Sequence, residues 1–478
     1  MSHKHSPEVS GKAAADRSRH YGAAPGGLFV LLAPLFLIAG LASPAAAETI
    51  AVEQEAKISL LVGDVIALAD RCASAAAREE SQELTCRLAM AVPKPRTEKV
   101  LAFEEHPLFI YAVGDSQSPR VEERSHQFIR RVLFLKPDTF VIDDLVRVPA
   151  SGEHASTAPD SRPASVTTRS RRRFVEGENA VVCEGILAEG TRRDKTLDVR
   201  LLCVLHVQRG DDQQPEPRWK LVEKGNRPSL TVSTAERVFQ LTLPSPTEAP
   251  GEIAISKTVG ETLLPRRPLA AGVLPHGPEG VRLLARWDSA YHDNRRPGWD
   301  TGRPSSNLEK LVEDRTLRPC RAVVLGCGTG TNAIYLAKKG FEVTGIDIAP
   351  TALSRAEKKA QEAGVKVRWL LADVLAPPEL EPFELIFDRG CYHGVRRQNA
   401  AGYVSALGRL SQSGTRLLIL AGNANEARQY GPPRVKEEEI RGDFSEGFEF
   451  RWLRETRFDT VAPSGQGALA WSILLQRK

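Results

Sequence analysis

Three glycines at alternate positions follow a short apolar run in the C-terminal half of the chain. The run is 323–325, and the glycines are Gly326, Gly328 and Gly330, with Cys327 between the first two. Glycine has no Cβ atom, so a ligand can approach the main chain closely at such a loop. A loop of this kind between a strand and a helix is typical of nucleotide and nucleoside sites. The spacing therefore predicts a cofactor loop at 326–330.

An aspartate follows each of the next three apolar runs: Asp347, Asp373 and Asp388. A carboxylate at Asp347 can accept hydrogen bonds from both hydroxyls of a ribose. Asp373 is placed to accept from an exocyclic adenine amine, and Asp388 to face the reacting end of the cofactor. A single strand-end aspartate is commonly a turn or helix-cap residue. Three in succession after a glycine loop instead predict a nucleoside-type cofactor.

Aromatic residues precede the glycine loop, namely Trp287, Tyr291 and Trp299, and the last of them leads into the segment 300–304. The faces of aromatic rings attract cations. We therefore expect these side chains to cover a positively charged sulfonium. The alternative is that Trp299 is a core residue that fixes this segment to the domain.

The elements that position these residues can be read from periodicity. From residue 321 onward, apolar runs alternate with helical segments, which is typical of a doubly wound parallel sheet. Residues 281–478 are thus predicted to form an α/β, Rossmann-like domain. Between 96 and 259, short β-rich runs alternate with turn residues and predict an all-β, sandwich-like middle domain. The stretch 260–280, rich in Pro and Gly, is predicted to be a linker.

The N-terminal part contains an apolar run, Leu28 to Ala42, with basic residues before it and Ser43 to Ala47 after it. The run is shorter than the roughly 20 residues that span a membrane. The pattern is typical of a secretory signal with a small-residue cleavage site, and the alternative is an uncleaved anchor. Residues 1–47 are therefore predicted to export the chain or, as we favour, to anchor it in a membrane through 28–42. Residues 48–95 have apolar residues at helical intervals and are predicted to be helical.

Composition limits the classes of partner. A net charge of +5 over 478 residues is mild, and no basic stripe interleaved with aromatic residues is present, so nucleic acid is not a predicted partner. The 7 cysteines are scattered without metal-ligand spacing, and an odd number cannot form a complete disulfide framework. We therefore predict neither a metal site nor a domain held by disulfides.

The motifs of the C-terminal domain resemble those of class I S-adenosylmethionine-dependent methyltransferases, and more narrowly the thiopurine and thiol methyltransferase family. The resemblance covers about residues 284–478. Its specific parts are Trp287-Asp288-x-x-Tyr291, the segment 297–304 and Asp388-Arg389-Gly390-Cys391. It implies S-adenosylmethionine as the cofactor and a small molecule as the methyl acceptor.

The resemblance also implies roles for individual residues. Asp388 and Arg389 are the implied catalytic residues. Val324 stands where many class I enzymes have an acidic residue, so contact with the methionine amino group must come from Asp388 or from main-chain carbonyls. The implied cofactor-binding residues are Trp287, Tyr291, Trp299, Gly326, Cys327, Gly328, Gly330, Asp347, Asp373 and Asp388.

The middle domain carries a second, local resemblance. The segment from His126 to Asp144 is similar to the β-domain of heparinase II/III-type polysaccharide lyases. In those lyases the β-domain accompanies an α-helical toroid, and nothing before Val100 is long enough to form one. The resemblance implies polysaccharide contact by the β-domain, without the catalytic half of the lyases.

These patterns support two functions. The first, which we favour, is methyl transfer from S-adenosylmethionine to a soft nucleophile, such as a thiol or a selenium or tellurium oxyanion. The second is an extracytoplasmic protein, polysaccharide-binding or derived from a lyase, whose methyltransferase-like domain is not catalytic. The leader favours the second function, because basic residues before the apolar run place the rest of the chain outside the cytoplasm, whereas S-adenosylmethionine is made inside it.

Overall fold

The protein is described from a computed structural model, which covers residues 98–117, 127–149, 168–176, 179–193, 196–209, 215–222, 228–243, 251–293, 296–461 and 467–478. All of these residues belong to one compact unit, Gln54–Lys478. The predicted leader at 1–47 and the predicted helical segment at 48–95 lie outside the described residues.

Strands β1 to β12 form the β-rich region and are arranged in two antiparallel sheets. The larger sheet has the order β1-β2-β3-β4-β7-β6-β5, and the smaller has the order β12-β11-β10-β9-β8. The strands are β1 (Glu98–His106), β2 (Phe109–Gln117), β3 (Gln127–Leu135), β4 (Thr139–Pro149), β5 (Thr168–Glu176), β6 (Asn179–Arg193), β7 (Thr196–Arg209), β8 (Arg218–Val222), β9 (Ser229–Ser233), β10 (Arg237–Thr242), β11 (Glu252–Lys257) and β12 (Thr262–Pro268).

The two sheets of the β-rich region share a hydrophobic core. Side chains along a strand alternate between its faces, and in β9 and β10 this alternation buries every second residue. Leu133 and Val141 of the larger sheet belong to the same buried cluster as Leu230, Phe239 and Ile255 of the smaller sheet. Two sheets packed through their apolar faces are the arrangement of a β-sandwich.

The α/β domain follows the β-rich region and contains the remaining described elements. No helix among the described residues combines the length and the apolarity that crossing a bilayer requires. The elements are α1 (Gly277–Ser289), α2 (Ser306–Glu313), β13 (Arg321–Leu325), α3 (Thr331–Lys338), β14 (Glu342–Asp347), α4 (Pro350–Glu362), β15 (Arg368–Leu371), β16 (Phe383–Arg389), α5 (Tyr392–Leu410), β17 (Ser411–Asn423), β18 (Arg434–Val435), α6 (Glu437–Phe444), β19 (Phe448–Arg457) and β20 (Leu469–Arg477).

The sheet of this domain has the order β15-β14-β13-β16-β17-β20-β19, with β18 beside β17. Neighbours from β15 to β17 are parallel, whereas β20 runs antiparallel to both β17 and β19. The predicted Rossmann-like fold is confirmed by this order. The sequence order of the strands reverses between β13 and β16, and doubly wound sheets bind ligands at such a point. The glycine loop after β13 and Asp388 in β16 both lie there.

The stretch 260–280 is not the linker that its Pro and Gly content predicted. It contains β12 and the start of α1, and the residues between them join the two regions. The main-chain N–H of Phe103 in β1 donates to Gly272 at 3.2 Å, and that of Ala271 donates to Leu371 of β15 at 2.8 Å. Proline is compatible with this arrangement because β12 is an edge strand, where a missing N–H costs little. The linker prediction was wrong because it was based on Pro and Gly content, which carries no information about main-chain hydrogen bonds.

Candidate active site

The glycine loop leaves β13 with positive φ angles of 58° at Gly326, 54° at Gly328 and 77° at Gly330, a conformation that favours glycine. A Cβ atom on Gly326 would lie 2.8 Å from Cβ of Cys391, at the start of α5. A Cβ on Gly328 would lie 3.2 Å from the hydroxyl oxygen of Tyr291. The loop therefore brings the start of α5 and the aromatic segment close to bare main chain.

Two other loop residues pack against the sheet. A side chain on Gly330 would collide with Trp369 and with Ala356 of α4, so the glycine allows close packing between helices and strands. Cys327 is buried, and burial raises the pKa of its thiol well above the ordinary value. The predicted contact of Cys327 and Gly330 with a cofactor stays a prediction.

Asp347 and Asp373 each make turn-forming bonds at a strand end. Asp347 accepts the N–H of Gly328 at 2.7 Å on Oδ2 and that of Ala349 at 2.9 Å on Oδ1, whereas Asp373 accepts the N–H of Leu375 at 2.9 Å. Burial raises the pKa of both carboxyl groups, and these N–H donors oppose the shift. A carboxylate has about four lone-pair positions. Both side chains therefore keep acceptor capacity for a ligand.

Asp388 differs, because its side chain is 0% exposed. Its carboxylate accepts the N–H groups of Cys391 and Tyr392, each at 2.9 Å, and the hydroxyl of Tyr403 at 2.6 Å. Burial raises the pKa of Asp388 to about 7, although the hydrogen bonds oppose the shift. The carboxylate fixes the start of α5 to the end of β16, and this geometry favours a positioning role. Its predicted contact with the cofactor and its catalytic role stay predictions.

The three predicted cover residues form one cluster, here called the aromatic cover. The rings of Trp287 and Trp299 meet edge to face with centroids 6.0 Å apart, and the Trp299 Nε1–H donates to the Tyr291 hydroxyl at 3.1 Å. Tyr291 is 5% exposed, whereas Trp299 is 50% exposed. This exposure argues against Trp299 as a core residue. Tyr291 lies beneath, against the glycine loop, and Trp299 lies on the outside.

Two polar networks attach the aromatic cover to the domain. The hydroxyl of Thr329 donates to Asp300 at 2.8 Å, and the Lys359 ammonium donates to the same hydroxyl at 2.6 Å. Asp288 accepts both the N–H and the hydroxyl of Thr351, at 2.7 and 3.0 Å. The cover is therefore fixed to the glycine loop on one side and to the start of α4 on the other.

Arg389 joins the aromatic cover to the opposite wall of the site. Its guanidinium donates to the carbonyl oxygens of Trp299 at 2.9 Å and Asp459 at 3.2 Å, and lies 5.4 Å from the ring centroid of Phe458. Burial lowers the pKa of Arg389 from its ordinary value, but a guanidinium stays protonated in proteins. The side chain holds the cover in place and leaves a positive charge at the end of β16. Its predicted catalytic contact stays a prediction.

These groups fit S-adenosylmethionine. Asp347 and Asp373 have acceptor positions suited to ribose hydroxyls and an adenine amine, and the glycine loop presents bare main chain. The aromatic cover supplies ring faces that attract a sulfonium. Val324 is 2% exposed within β13, so main-chain groups rather than an acid at this position would meet the methionine end.

Several residues of the site were missed by sequence reasoning. Lys359 and Tyr403 lie within helices, and nothing in the sequence says which helical side chain meets a loop or a strand end. Thr329 lies within the glycine loop itself, where only its neighbours were considered. Thr351 carried a usable signal, because it follows Pro350 at a helix start, where proline is common and orphan N–H groups need acceptors.

Residues 283–473 match the family model described as thiopurine S-methyltransferase. The chain is similar to a probable thiol methyltransferase 2 of Arabidopsis thaliana, with 30% identity over 149 residues that cover 31% of this chain and 65% of the relative. It is also similar to a 2-heptyl-1-hydroxyquinolin-4(1H)-one methyltransferase of Mycobacteroides abscessus, with 30% identity over 150 residues that cover 30% of this chain and 66% of that protein. The chain thus spans just under two thirds of the length of either relative.

A solved structure described as "Conversion of a Disulfide Bond into a Thioacetal Group during Echinomycin Biosynthesis" is 25% identical, covers 41% of this chain and 92% of its own, and has a TM-score of 0.38. The family match falls on the α/β domain and takes in the aromatic cover, the glycine loop and the three strand-end aspartates. The C-terminal domain of this protein is therefore similar, over residues 283–473, to the family described as thiopurine S-methyltransferase.

Proposed function

We propose that this protein is an S-adenosylmethionine-dependent methyltransferase. The observation that carries the proposal is the meeting of the aromatic cover with the glycine loop at the switch point of the sheet, where Trp299 bonds Tyr291 and Tyr291 lies against Gly328. Asp347 and Asp373 end the two neighbouring strands at the same edge. Together these groups supply bare main chain, two carboxylate acceptors and the aromatic cover to bind one molecule of S-adenosylmethionine.

The mechanism follows from the groups present. When bound, S-adenosylmethionine supplies an electrophilic methyl group on a sulfonium sulfur. Asp347 and Asp373 would hold the nucleoside, and the aromatic cover would exclude water from the reacting end. Transfer is an in-line displacement that needs an acceptor lone pair about 3–3.5 Å from the methyl carbon. No covalent enzyme nucleophile is required, and burial raises the pKa of the Cys391 thiol well above its ordinary value, which disfavours the thiolate there.

For the acceptor, we infer a small soft nucleophile, either a thiol or a selenium or tellurium oxyanion. The name of one relative describes a probable thiol methyltransferase and that of the other a hydroxyquinolone methyltransferase. Both names support a small molecule as the acceptor, and the first supports sulfur. The Arg389 guanidinium at the end of β16 supports an anionic acceptor, because a nearby positive charge stabilises a thiolate over a thiol.

The test uses the full chain, because residues between β12 and α1 pair with the methyltransferase sheet. Calorimetry should show binding of S-adenosylmethionine and of S-adenosylhomocysteine. A labelled methyl donor is then offered with hydrosulfide, benzenethiolate, selenite, tellurite, iodide and the hydroxyquinolone, and we expect a labelled product from at least one thiolate. Failure of the folded protein to bind either cofactor form would overturn the proposal, and transfer to the hydroxyquinolone alone would overturn the thiol assignment.

We further propose that residues 28–42 anchor the chain in a membrane and that the β-rich region contacts polysaccharide. The apolar run supports the first proposal, and the resemblance at 126–144 supports the second. An anchored enzyme reaches its cofactor only if its methyltransferase domain faces the cytoplasm. A reporter fused after Lys478 tests this orientation, and a reporter active only outside the cytoplasm would contradict a cytoplasmic enzyme.

Pull-down of the full chain by immobilised acidic polysaccharide tests the proposal that the β-rich region contacts polysaccharide, and no retention would contradict it.

A further inference from the structure

His393, in the first turn of α5, has a fixed tautomer. Its Nδ1 accepts the main-chain N–H of Gly422 in β17 at 3.0 Å. A neutral imidazole has one N–H donor and one acceptor nitrogen, so this hydrogen bond assigns the ring proton to Nε2. Burial, helped by the charge of Arg389, lowers the pKa of His393 to about 4. The ring is therefore a neutral Nε2–H donor near neutral pH.

The Nε2 edge of the ring lies at the carboxyl end of β16. A Cβ atom on Gly390, the residue after this strand, would be 3.5 Å from Cε1 and 3.7 Å from Nε2 of His393. Phe458 meets the imidazole edge to face, with centroids 6.1 Å apart, and also carries the Arg389 guanidinium on its ring. The His393 imidazole and the Arg389 guanidinium, which holds the aromatic cover, therefore both lie against Phe458. These three residues lie near the switch point of the sheet, close to the contact between Gly326 and Cys391.

The Nε2–H group is not used within the described part of the protein. The imidazole makes one hydrogen bond there, through Nδ1, and Nε2 is not among the fully buried atoms that lack a partner. The residue as a whole is 7% exposed. A buried ring whose Nδ1 is fixed by the main chain and whose Nε2–H has no partner among the described residues is pre-organised to bind a ligand atom.

We propose that His393 donates its Nε2–H to the reacting atom of the methyl acceptor and so orients it for displacement. This role rests on the proposed methyl transfer. A thiolate sulfur has three lone pairs, so one can accept the hydrogen bond while another attacks the methyl carbon. The imidazole neither gains nor loses a proton in this role. It differs from Arg389, whose donors are directed to carbonyl oxygens of the protein.

A pair of substitutions separates the two nitrogens of His393. In His393→Asn, the side-chain oxygen can replace Nδ1 and accept the Gly422 N–H, but no donor replaces Nε2. In His393→Gln, the longer amide can replace the Nε2 donor, while the Gly422 N–H loses its acceptor. Gln398→Ala, at an exposed position of the same helix, is the matched control. All variants are made in the full chain and assayed with hydrosulfide and benzenethiolate.

If Nε2–H holds the acceptor, His393→Asn should lower kcat/KM for the thiolates about 3- to 10-fold, the range expected for one hydrogen bond. Its dissociation constant for S-adenosylmethionine should stay within about 2-fold of wild type. His393→Gln should keep most of the activity but unfold at a lower urea concentration. Wild-type kinetics in His393→Asn, or losses that follow stability in both variants, would overturn the assignment. Absence of turnover of both thiolates by the wild type would contradict the thiol acceptor in the proposed function, and this assignment with it, whereas failure to bind the cofactor would contradict the methyltransferase itself.

Discussion

Two buried ion pairs lie in the described part of the β-rich region. Arg131 lies 3.0 Å from Asp143, with side chains that are 11% and 2% exposed, and Arg267 pairs with Glu104 at 6% and 5% exposure. A buried charge is costly unless it is paired and hydrogen-bonded. Here each charge is neutralised by its partner, and the second pair lies where the β-rich region meets the residues that lead to α1.

In the α/β domain, buried carboxylates are held differently. Within the described residues, Asp347 and Asp388 have no ion-pair partner, and their oxygens accept N–H and O–H donors instead. Burial raises the pKa of each carboxyl group, and the hydrogen bonds oppose this shift without cancelling the charge. Perturbed groups of this kind cluster at functional sites. The comparison indicates that buried charge serves stability in one region and chemistry or its positioning in the other.

The largest expected effect is the loss of stability on breaking the Arg267–Glu104 pair. Glu104→Ala removes one partner and also the acceptor of the Ala270 N–H at 3.2 Å, leaving a buried guanidinium uncompensated. We expect the free energy of unfolding to fall by about 3–5 kcal/mol, measured by urea denaturation. Glu261→Ala is the control, because its pair with Lys257 is exposed and should contribute about 0–1 kcal/mol. Equal losses in the two variants would remove the distinction between buried and exposed pairs.

The buried carboxyl group of Asp388 predicts a dependence of stability on pH. Its folded pKa of about 7 lies above the value of about 3.9 for an unfolded chain, so between these pH values the folded state binds more protons. The free energy of unfolding of the wild type should therefore fall as pH rises from about 4 to 7, relative to Asp388→Asn, and level off above that. Urea titrations of both proteins across this range provide the measurement. A constant difference between them would show that Asp388 is ionised throughout.

Asp347 should affect cofactor binding most directly. Asp347→Ala removes the proposed ribose acceptor, and we expect binding of S-adenosylmethionine to weaken by about 1–3 kcal/mol in calorimetry. Glu357→Ala, an exposed change on α4, serves as the control and should bind normally. If Asp347→Ala binds the cofactor as tightly as the control, the carboxylate only shapes the glycine loop.

Substitution of Trp299 should have the smallest of these effects, a modest loss of cofactor affinity. Trp299→Phe keeps an aromatic ring but removes the Nε1–H that bonds the Tyr291 hydroxyl at 3.1 Å. Affinity for S-adenosylmethionine should fall by about 0.5–1.5 kcal/mol, while the urea midpoint stays close to wild type because the side chain is 50% exposed. A large drop in stability without a change in affinity would instead make Trp299 a packing residue.

Much of the α/β domain could be predicted from the sequence. Its central strands β13, β14 and β16 are buried on both faces and read as apolar runs, and the glycine loop and strand-end aspartates lie at fixed offsets from such runs. The interface between the regions could not be predicted, because Ala271 pairs with Leu371 through main-chain atoms across 100 residues of chain. Composition carries no record of such pairing, so a segment rich in Pro and Gly was taken for a linker.

The sequence by itself determined which residue types stand at the strand ends and before the glycine loop, because periodicity and spacing are local properties. The tertiary structure decided what each one does. Asp347 and Asp388 have the same side chain and equivalent positions, yet one is left with acceptor capacity while the other is enclosed by the N–H groups of α5 and the Tyr403 hydroxyl. The same holds for His393, whose tautomer depends on Gly422 in the next strand. Burial and hydrogen-bond partners arise from packing between distant segments, and they set the protonation and direction on which chemistry depends.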